Sequence, residues 1–308
     1  MQYHTPVLVK EVVAALKTTT ATAIMDVTLG DGGHSLALLE AMREDAWVLG
    51  MDQDEDAIKR AQARLAGYGN RFRAIQGNFG NLVSHVAALG VKEVDGILAD
   101  LGVSHLQLNE ARKGFSFMTS GPLDMRMNKN LAMTAETAVN ELSENELADI
   151  IRAYGEERQV KQIVRAIVSH RKISRIKTTD QLAAIVQSAI RQKDAVKSLA
   201  RVFQSLRIFT NKELDSLRQF LPQAVNLLKS SGRLVIISYH SLEDRIVKDF
   251  FRQEANPCIC PKDFPRCVCG LEPRLKIIGK LVRPSEDEVF RIRTARSARM
   301  RIAEKVQA

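Results

Sequence analysis

Within the first hundred residues, short apolar runs alternate with helical patterns, and this alternation constrains the fold more than any other feature of the chain. Ile24-Met25-Asp26-Val27-Thr28-Leu29 reads as a buried strand ending at Gly30, and Ser35 to Met42 as a helix. Trp47 to Asp52 is a second strand, Asp56 to Leu65 a second helix, Phe72 to Gln76 a third strand and Val94 to Asp100 a fourth. Most of the runs are largely apolar, as strands covered on both faces tend to be. Strands separated by helices predict βαβ units and a parallel sheet with helices on both sides.

The pattern changes after the fourth strand. From Glu136 to Leu228 only helical periodicity is found, as in Glu144–Tyr154, Val160–His170, Thr179–Ile190 and Asn211–Leu228. Ser143 with Glu146, Thr179 before Asp180, and Asn211 read as N-caps, whose side-chain oxygens would satisfy the first helical N–H groups. A strand pattern returns at Arg233 to Tyr239. Leu275–Val282 and either Val289–Arg293 or Arg299–Ala303 would complete the sheet. The expected organisation is an α/β core from residues 1–107 and 210–308, interrupted by a helical insertion at 108–209.

Hydrophobic residues make up 45% of the 308 and charged residues 26%, enough apolar mass for a packed core. Met1 to Lys10 contains Pro6 and no signal-like apolar run, and no stretch is long enough to cross a bilayer. A soluble, cytoplasmic protein without a membrane partner is expected. The net charge of +9 is segregated: residues 1–105 hold 9 Lys/Arg and 13 Asp/Glu, whereas 158–218 hold 14 against 4. Segregated cations suit a polyanion, because each neutralised phosphate releases counterions. A solvated basic face is the competing reading. The same two readings apply to Arg291, Arg293, Arg296, Arg299 and Arg301, which have no acid between them.

The chemistry gathers at the strand ends. Asp26 to His34 contains Gly30, Gly32 and Gly33, where the backbone can turn sharply and approach a ligand. Open α/β sheets bind ligands at this edge. The spacing is not that of a dinucleotide fingerprint, and Asp26 suits the ammonium of a zwitterionic nucleoside. Asp52 ends the second strand and can accept both hydroxyls of a ribose. Gln53, Asp54, Glu55 and Asp56 follow it and would repel the extra phosphate of NADP. Phe79, after the third strand, offers a ring for an adenine, though a lone aromatic also serves a core. Turn glycines and a capping aspartate are the plainer reading of the set.

Asp100 ends the fourth strand. An exocyclic base amine is a poor nucleophile because its lone pair is delocalised. In amino methyltransferases a strand end of this kind holds such an amine, and methylating it needs an acceptor that orients an N–H, relieves the charge and takes the proton. Asp100 suits that role. The four cysteines all lie between positions 258 and 269, far from these strand ends, which argues against a thiolate-dependent carbon-5 mechanism. His240 and Ser241 follow the fifth strand, where His240 is read either as a catalytic or base-positioning group or as a satisfied structural histidine.

Taken together, these segments resemble the bacterial 16S rRNA cytosine-N4 methyltransferases almost end to end. The matching stretches are His4-Thr5-Pro6-Val7, Asp26 through Ser35, Gly50-Met51-Asp52-Gln53-Asp54 and Asp95 through Gln107. They continue through Gly114-Phe115-Ser116-Phe117, Gly121 through Met127, Gly155-Glu156-Glu157-Arg158, Phe203 through Ile208 and Gly232 through Arg245. The resemblance implies a class I S-adenosylmethionine-dependent methyltransferase fold, Rossmann-like, with an inserted, basic RNA-recognition domain. It implies donor contacts at Gly32, Gly33, His34, Asp52, Phe79, Asp100 and Gln107. It further implies the exocyclic N4 of a cytosine in the decoding region of the small-subunit 16S rRNA as target, and admits a homodimer. His105, Asn109, Lys113, Asn128 and Lys197-Ser198-Leu199-Ala200 depart from the family pattern, as does the Arg291–Arg301 run, all on the side presumed to meet RNA. Against rival readings, Asp100-Leu101-Gly102-Val103 is not the Asp-Pro-Pro-aromatic motif of DNA amino methyltransferases. An RNA-binding or ribosome-assembly factor that keeps the donor pocket without catalysis stays open.

Cys258-Ile259-Cys260 and Cys267-Val268-Cys269 form two C-x-C pairs, with Pro257, Pro261 and Pro265 between and beside them. Four thiolates so spaced suit one tetrahedral zinc. A proline-stiffened reduced loop is the alternative.

Overall fold

The structure, a computed structural model, describes residues 5–261 and 268–307, with the side chains of His105 and Asn109 excepted. Among the described residues it holds β1 (Ala23–Asp26), β2 (Trp47–Asp52), β3 (Phe72–Gln76), β4 (Val94–Asp100), β5 (Leu228–Ser238), β6 (Leu275–Ile277) and β7 (Arg299–Lys305). They form one sheet in the order β3-β2-β1-β4-β5-β7-β6. The pairs from β3 through to β5 are parallel, and β7 runs antiparallel to both β5 and β6. The sequence steps outward from β1 to β3 on one side and from β4 to β5 on the other. The switch point, where such sheets open a ligand crevice, therefore lies between β1 and β4.

The chain divides into two compact units, Met1–Gly102 with Leu214–Ala308, and Val103–Glu213. In the first, successive strand residues point to opposite faces of the sheet, and each face has its own core. Met25, Leu49, Ile97 and Ile236 pack with Leu82, Leu217, Phe220, Val247 and Phe251 on one side. Ile24, Val48, Leu98 and Val235 pack with Val12, Leu38, Ile58 and Ala61 on the other. The helices Val9–Ala15, Gly33–Ala41 and Glu55–Leu65 thus cover one face, and Leu82–Ala87, Glu213–Leu227 and Ser241–Ala255 the other.

The second unit contains the helices Ala135–Glu141, Glu144–Gly155, Val160–Arg171, Thr179–Ala189 and Ala195–Asn211. Leu147, Ile151, Ile163, Ile167, Val202 and Leu206 are in its core. Phe117 meets Phe203 edge to face, with ring centres 5.4 Å apart. At Gly155 a Cβ would lie 2.7 Å from the Arg201 carbonyl, so only glycine lets these two helices approach so closely.

β2, β3 and β4 run as the sequence predicts, and Ser143 with Glu146 forms the expected reciprocal cap. Other expectations need correction. β1 stops at Asp26, and β5 begins at Leu228. Val289 to Arg291 belongs to the short helix Glu286–Arg291, started by Ser285, so β7 is the Arg299 run. Arg299 and Arg301 both turn onto Asp244, at 3.1 and 2.6 Å, so these two arginines hold the fold together. Thr178, one residue earlier than expected, starts the helix Thr179–Ala189. Asn211 is not a cap but the last residue of Ala195–Asn211. Its buried amide accepts the Met127 N–H at 2.8 Å and donates to the carbonyls of Met125 (2.8 Å) and Arg207 (2.9 Å). No described helix is long and apolar enough to cross a membrane.

Because truncating Asn211 removes three hydrogen bonds to backbone groups, two of them buried, Asn211→Ala should destabilise the helical unit by roughly 1–3 kcal/mol. Thermal unfolding followed by circular dichroism should show a clear drop in Tm. An unchanged Tm would contradict this account of the amide.

Candidate active site

Parallel register decides which side chains meet at the carboxyl edge. Asp26 sits level with Gly50 on β2 and Leu98 on β4. Two residues further on, Asp52 and Asp100 are therefore level with each other, and the chain leaving β1 passes between them. That turn feeds both. Gly30 donates its N–H to Asp52 Oδ2 at 2.8 Å, while the Asp100 N–H donates to Thr28 Oγ1 at 2.6 Å. The turn needs left-handed backbone at Gly30 (φ 50) and Gly32 (φ 73), the second of which starts the helix Gly33–Ala41.

Three carboxylates thus share one edge. Asp26 is 1% exposed and accepts from Ser35 Oγ at 2.8 Å and from the Thr28 N–H at 3.3 Å. Burial still raises its pKa, with Asp100 adding repulsion. Asp52 also accepts the Asp54 N–H at 2.9 Å, yet burial pushes its carboxyl up to about 6. Asp100 is flanked by two side chains. Tyr239 donates its hydroxyl to Oδ1 at 2.9 Å, and His34 Nε2 lies 3.3 Å from Oδ2. Burial raises the Tyr239 phenol well above its usual 10, reinforced by Asp100, so it stays a donor. Burial works against a charge on His34, but Asp100, Asp26 and Glu288 outweigh it and raise the imidazole's pKa.

β3 joins the same edge. The Gly77 N–H donates to the Asp52 carbonyl at 2.9 Å, and Phe79 follows at the turn. Its half-buried ring stands edge to face on Phe220, with centres 5.3 Å apart. After β5, His240 is the N-cap of Ser241–Ala255: Nδ1 accepts the Glu243 N–H at 3.4 Å, and Nε2 lies 3.1 Å from Glu243 Oε1.

The whole chain is similar to one family. A model of the MraW methylase family matches residues 1–306. The chain belongs to that family. It is 50% identical to the ribosomal RNA small subunit methyltransferase H of Carboxydothermus hydrogenoformans, over 98% of each chain. The protein of the same name from Geobacter sulfurreducens is 47% identical, over 98% of this chain and 99% of its own. Among solved structures, an rRNA methylase from Streptococcus thermophilus aligns with a TM-score of 0.41 and 12% identity, over 97% of this chain and 94% of that one.

Of the residues the sequence singles out in this family member, Gly32, Gly33, His34, Asp52, Phe79 and Asp100 lie along the carboxyl edge of β1 to β4. Gln107 lies in the other unit, where its side chain accepts the Ser104 N–H at 3.0 Å in a capping box. His240 is engaged at its helix start. Cys258, Cys260 and Cys269 lie beyond that helix, and Cys267 is outside the described residues. Sequence reasoning assigned no role to Tyr239, because only the pairing of β5 beside β4 brings its hydroxyl to Asp100.

The two opposing effects on His34 can be separated. In an NMR titration His34 should have a pKa above the ordinary 6.5. With Asp100→Asn the opposing charge is lost, burial dominates, and the value should fall below that of the parent protein. No movement would show that Asp100 is not its partner.

Proposed function

We propose that the protein transfers a methyl group from S-adenosylmethionine to the exocyclic N4 of a cytosine in the decoding region of 16S rRNA. Methyl transfer to small-subunit rRNA is supported by family membership and by the shared name of the relatives. The amine reading rests on one observation, the Asp100 carboxylate held between the Tyr239 hydroxyl and His34 at the switch-point edge. The absence of cysteine from the strand ends in the sequence agrees with it, since carbon-5 methylation needs a thiolate there.

The edge fits the donor chemically. A Cβ added at Gly30 would meet nothing within 4 Å, so the turn leaves room for a ligand. When bound, the donor supplies an electrophilic methyl on a positively charged sulfur, attached to an adenosine. Asp52 can accept the two ribose hydroxyls, because each carboxylate oxygen accepts more than the one backbone N–H it already holds. Phe79 offers its ring to the adenine. The acids Asp26 and Asp100 favour a cation nearby. By resemblance, His34 and Gln107 also touch the donor.

For transfer, Asp100 accepts an N–H of the base amine, which orients the nitrogen lone pair. It takes up the positive charge as the methyl arrives and then holds the released proton. Tyr239 and His34 prevent the carboxylate from rotating away. His240 has a positioning part in this reading, through the cap that fixes the chain just after Tyr239. The helical unit exposes Arg158, Lys161, Arg165, Lys172, Lys193 and Lys197, which suit the RNA backbone. The cytoplasm is the compartment of such a substrate, and a homodimer belongs to the reading by resemblance. Zinc enters only as a structural ion at the cysteine loop, apart from methyl transfer.

The test is to incubate the purified protein with labelled donor and small-subunit particles, or their RNA, from a strain lacking this activity. The label should map to N4 of a single cytosine. Asp100→Ala should lower kcat by roughly 10²–10⁴-fold. Label on carbon-5 or on adenine, no label at all, or full activity in the variant would overturn the reading.

A further inference from the structure

The described residues between the helix Ser241–Ala255 and β6 have no core of their own. From Asn256 to Arg274 no described residue is in a helix or strand and none is buried. Its neck is nonetheless closed. The Arg274 N–H donates to the Glu254 carbonyl at 2.9 Å, and the two side chains pair at 3.4 Å. Ile259 and Val268, the middle residues of the two C-x-C pairs, are 79% and 73% exposed, so they supply no apolar core. Short segments without a core are ordered by cross-links or metals.

The cysteines turn the other way. The Sγ atoms of Cys258, Cys260 and Cys269 all lie within 4.8 Å of one another. Cys258 and Cys269 are 3.9 Å apart, almost twice a disulfide bond. A tetrahedral zinc with bonds of about 2.3 Å sets its sulfurs about 3.8 Å apart. The Val268 N–H donates to Cys260 Sγ at 3.4 Å, an interaction that stabilises a thiolate. Distance, convergence and backbone donation are those of a metal ligand set.

We infer that Cys258, Cys260 and Cys269 bind one structural zinc ion, which orders the 256–274 loop. Each thiol loses its proton to solvent as its sulfur joins the metal, and one vertex of the tetrahedron is left for a fourth donor. The soft, compact sulfur set favours zinc over magnesium or calcium. The ion has no part in methyl transfer, so it stands or falls apart from the proposed reaction.

The experiment uses full-length protein without a histidine tag, incubated with zinc chloride, desalted and analysed for metals. About one zinc per chain is expected, falling to background in C258S/C269S, with methyl-donor affinity within about twofold of the parent. Because the variant could lose the ion by misfolding, limited proteolysis of the parent protein provides a second readout. Chelation should speed cleavage within 256–274 on the order of tenfold, and added zinc should reverse this. Zinc below about half an equivalent, zinc retained by the double variant, iron in its place, or cleavage indifferent to chelation would each overturn the inference.

Discussion

Three carboxylates crowded at one end of a parallel sheet are the constraint on which the site depends. Register makes this unavoidable: once β1 pairs with β2 and β4 as it does, Asp52 and Asp100 flank the turn that leaves Asp26. Acids so placed repel one another and lose hydration. The neighbouring groups offset that cost only in part. Ser35, Thr28, Gly30 and Asp54 donate to Asp26 and Asp52, and Tyr239 and His34 attend Asp100. The pKa values of Asp26 and Asp52 remain raised, so negative charge at this edge is incompletely compensated. A cationic, hydroxyl-bearing ligand complements such an edge.

That electrostatic deficit joins fold to chemistry. The glycine turn must follow β1 closely enough to bring its N–H groups to the acids, which is why it adopts left-handed backbone at Gly30 and Gly32. In the proposed reaction, the carboxylate that meets the substrate amine must keep its orientation while its charge changes. A phenol held protonated by burial, on one oxygen, with an imidazole beside the other, provides that hold. In the proposed reaction the acids divide the work: Asp52 would seat the sugar, Asp26 would help set the local charge, and Asp100 would meet the base.

Much of the sheet could be read from the sequence because its central strands are buried on both faces and therefore mostly apolar. β2 and β4 needed nothing more, while β3, at the sheet edge and partly exposed, was legible from its place in the strand–helix alternation. The ends of β1 and the identity of β7 were harder. After Asp26 the chain remains apolar through Leu29 while already turning, and Val289–Arg293 carries as many apolar residues as a strand would. Asn211 looked like a helix start because asparagine caps helices, whereas its amide is spent joining backbone groups far away in sequence. At the site, the strand-end acids were legible from their spacing. Tyr239 was not, because its role follows from β5 lying beside β4, a pairing that no local pattern reveals. His240, at a strand end, reads in the sequence as catalytic, base-positioning or structural, and its ring caps the helix Ser241–Ala255.

The most direct test of the incompletely compensated edge is the proton count on donor binding. Calorimetry with S-adenosylmethionine, in buffers of different ionisation enthalpy near pH 6, reports it. Burial pushes the Asp52 carboxyl up to about 6, so it is partly protonated there in the free protein, and a cation with hydroxyl donors should lower that pKa. Binding should therefore release protons, and the release should shrink in Asp52→Ala. Proton uptake, or tight binding with no change in protonation, would contradict the account.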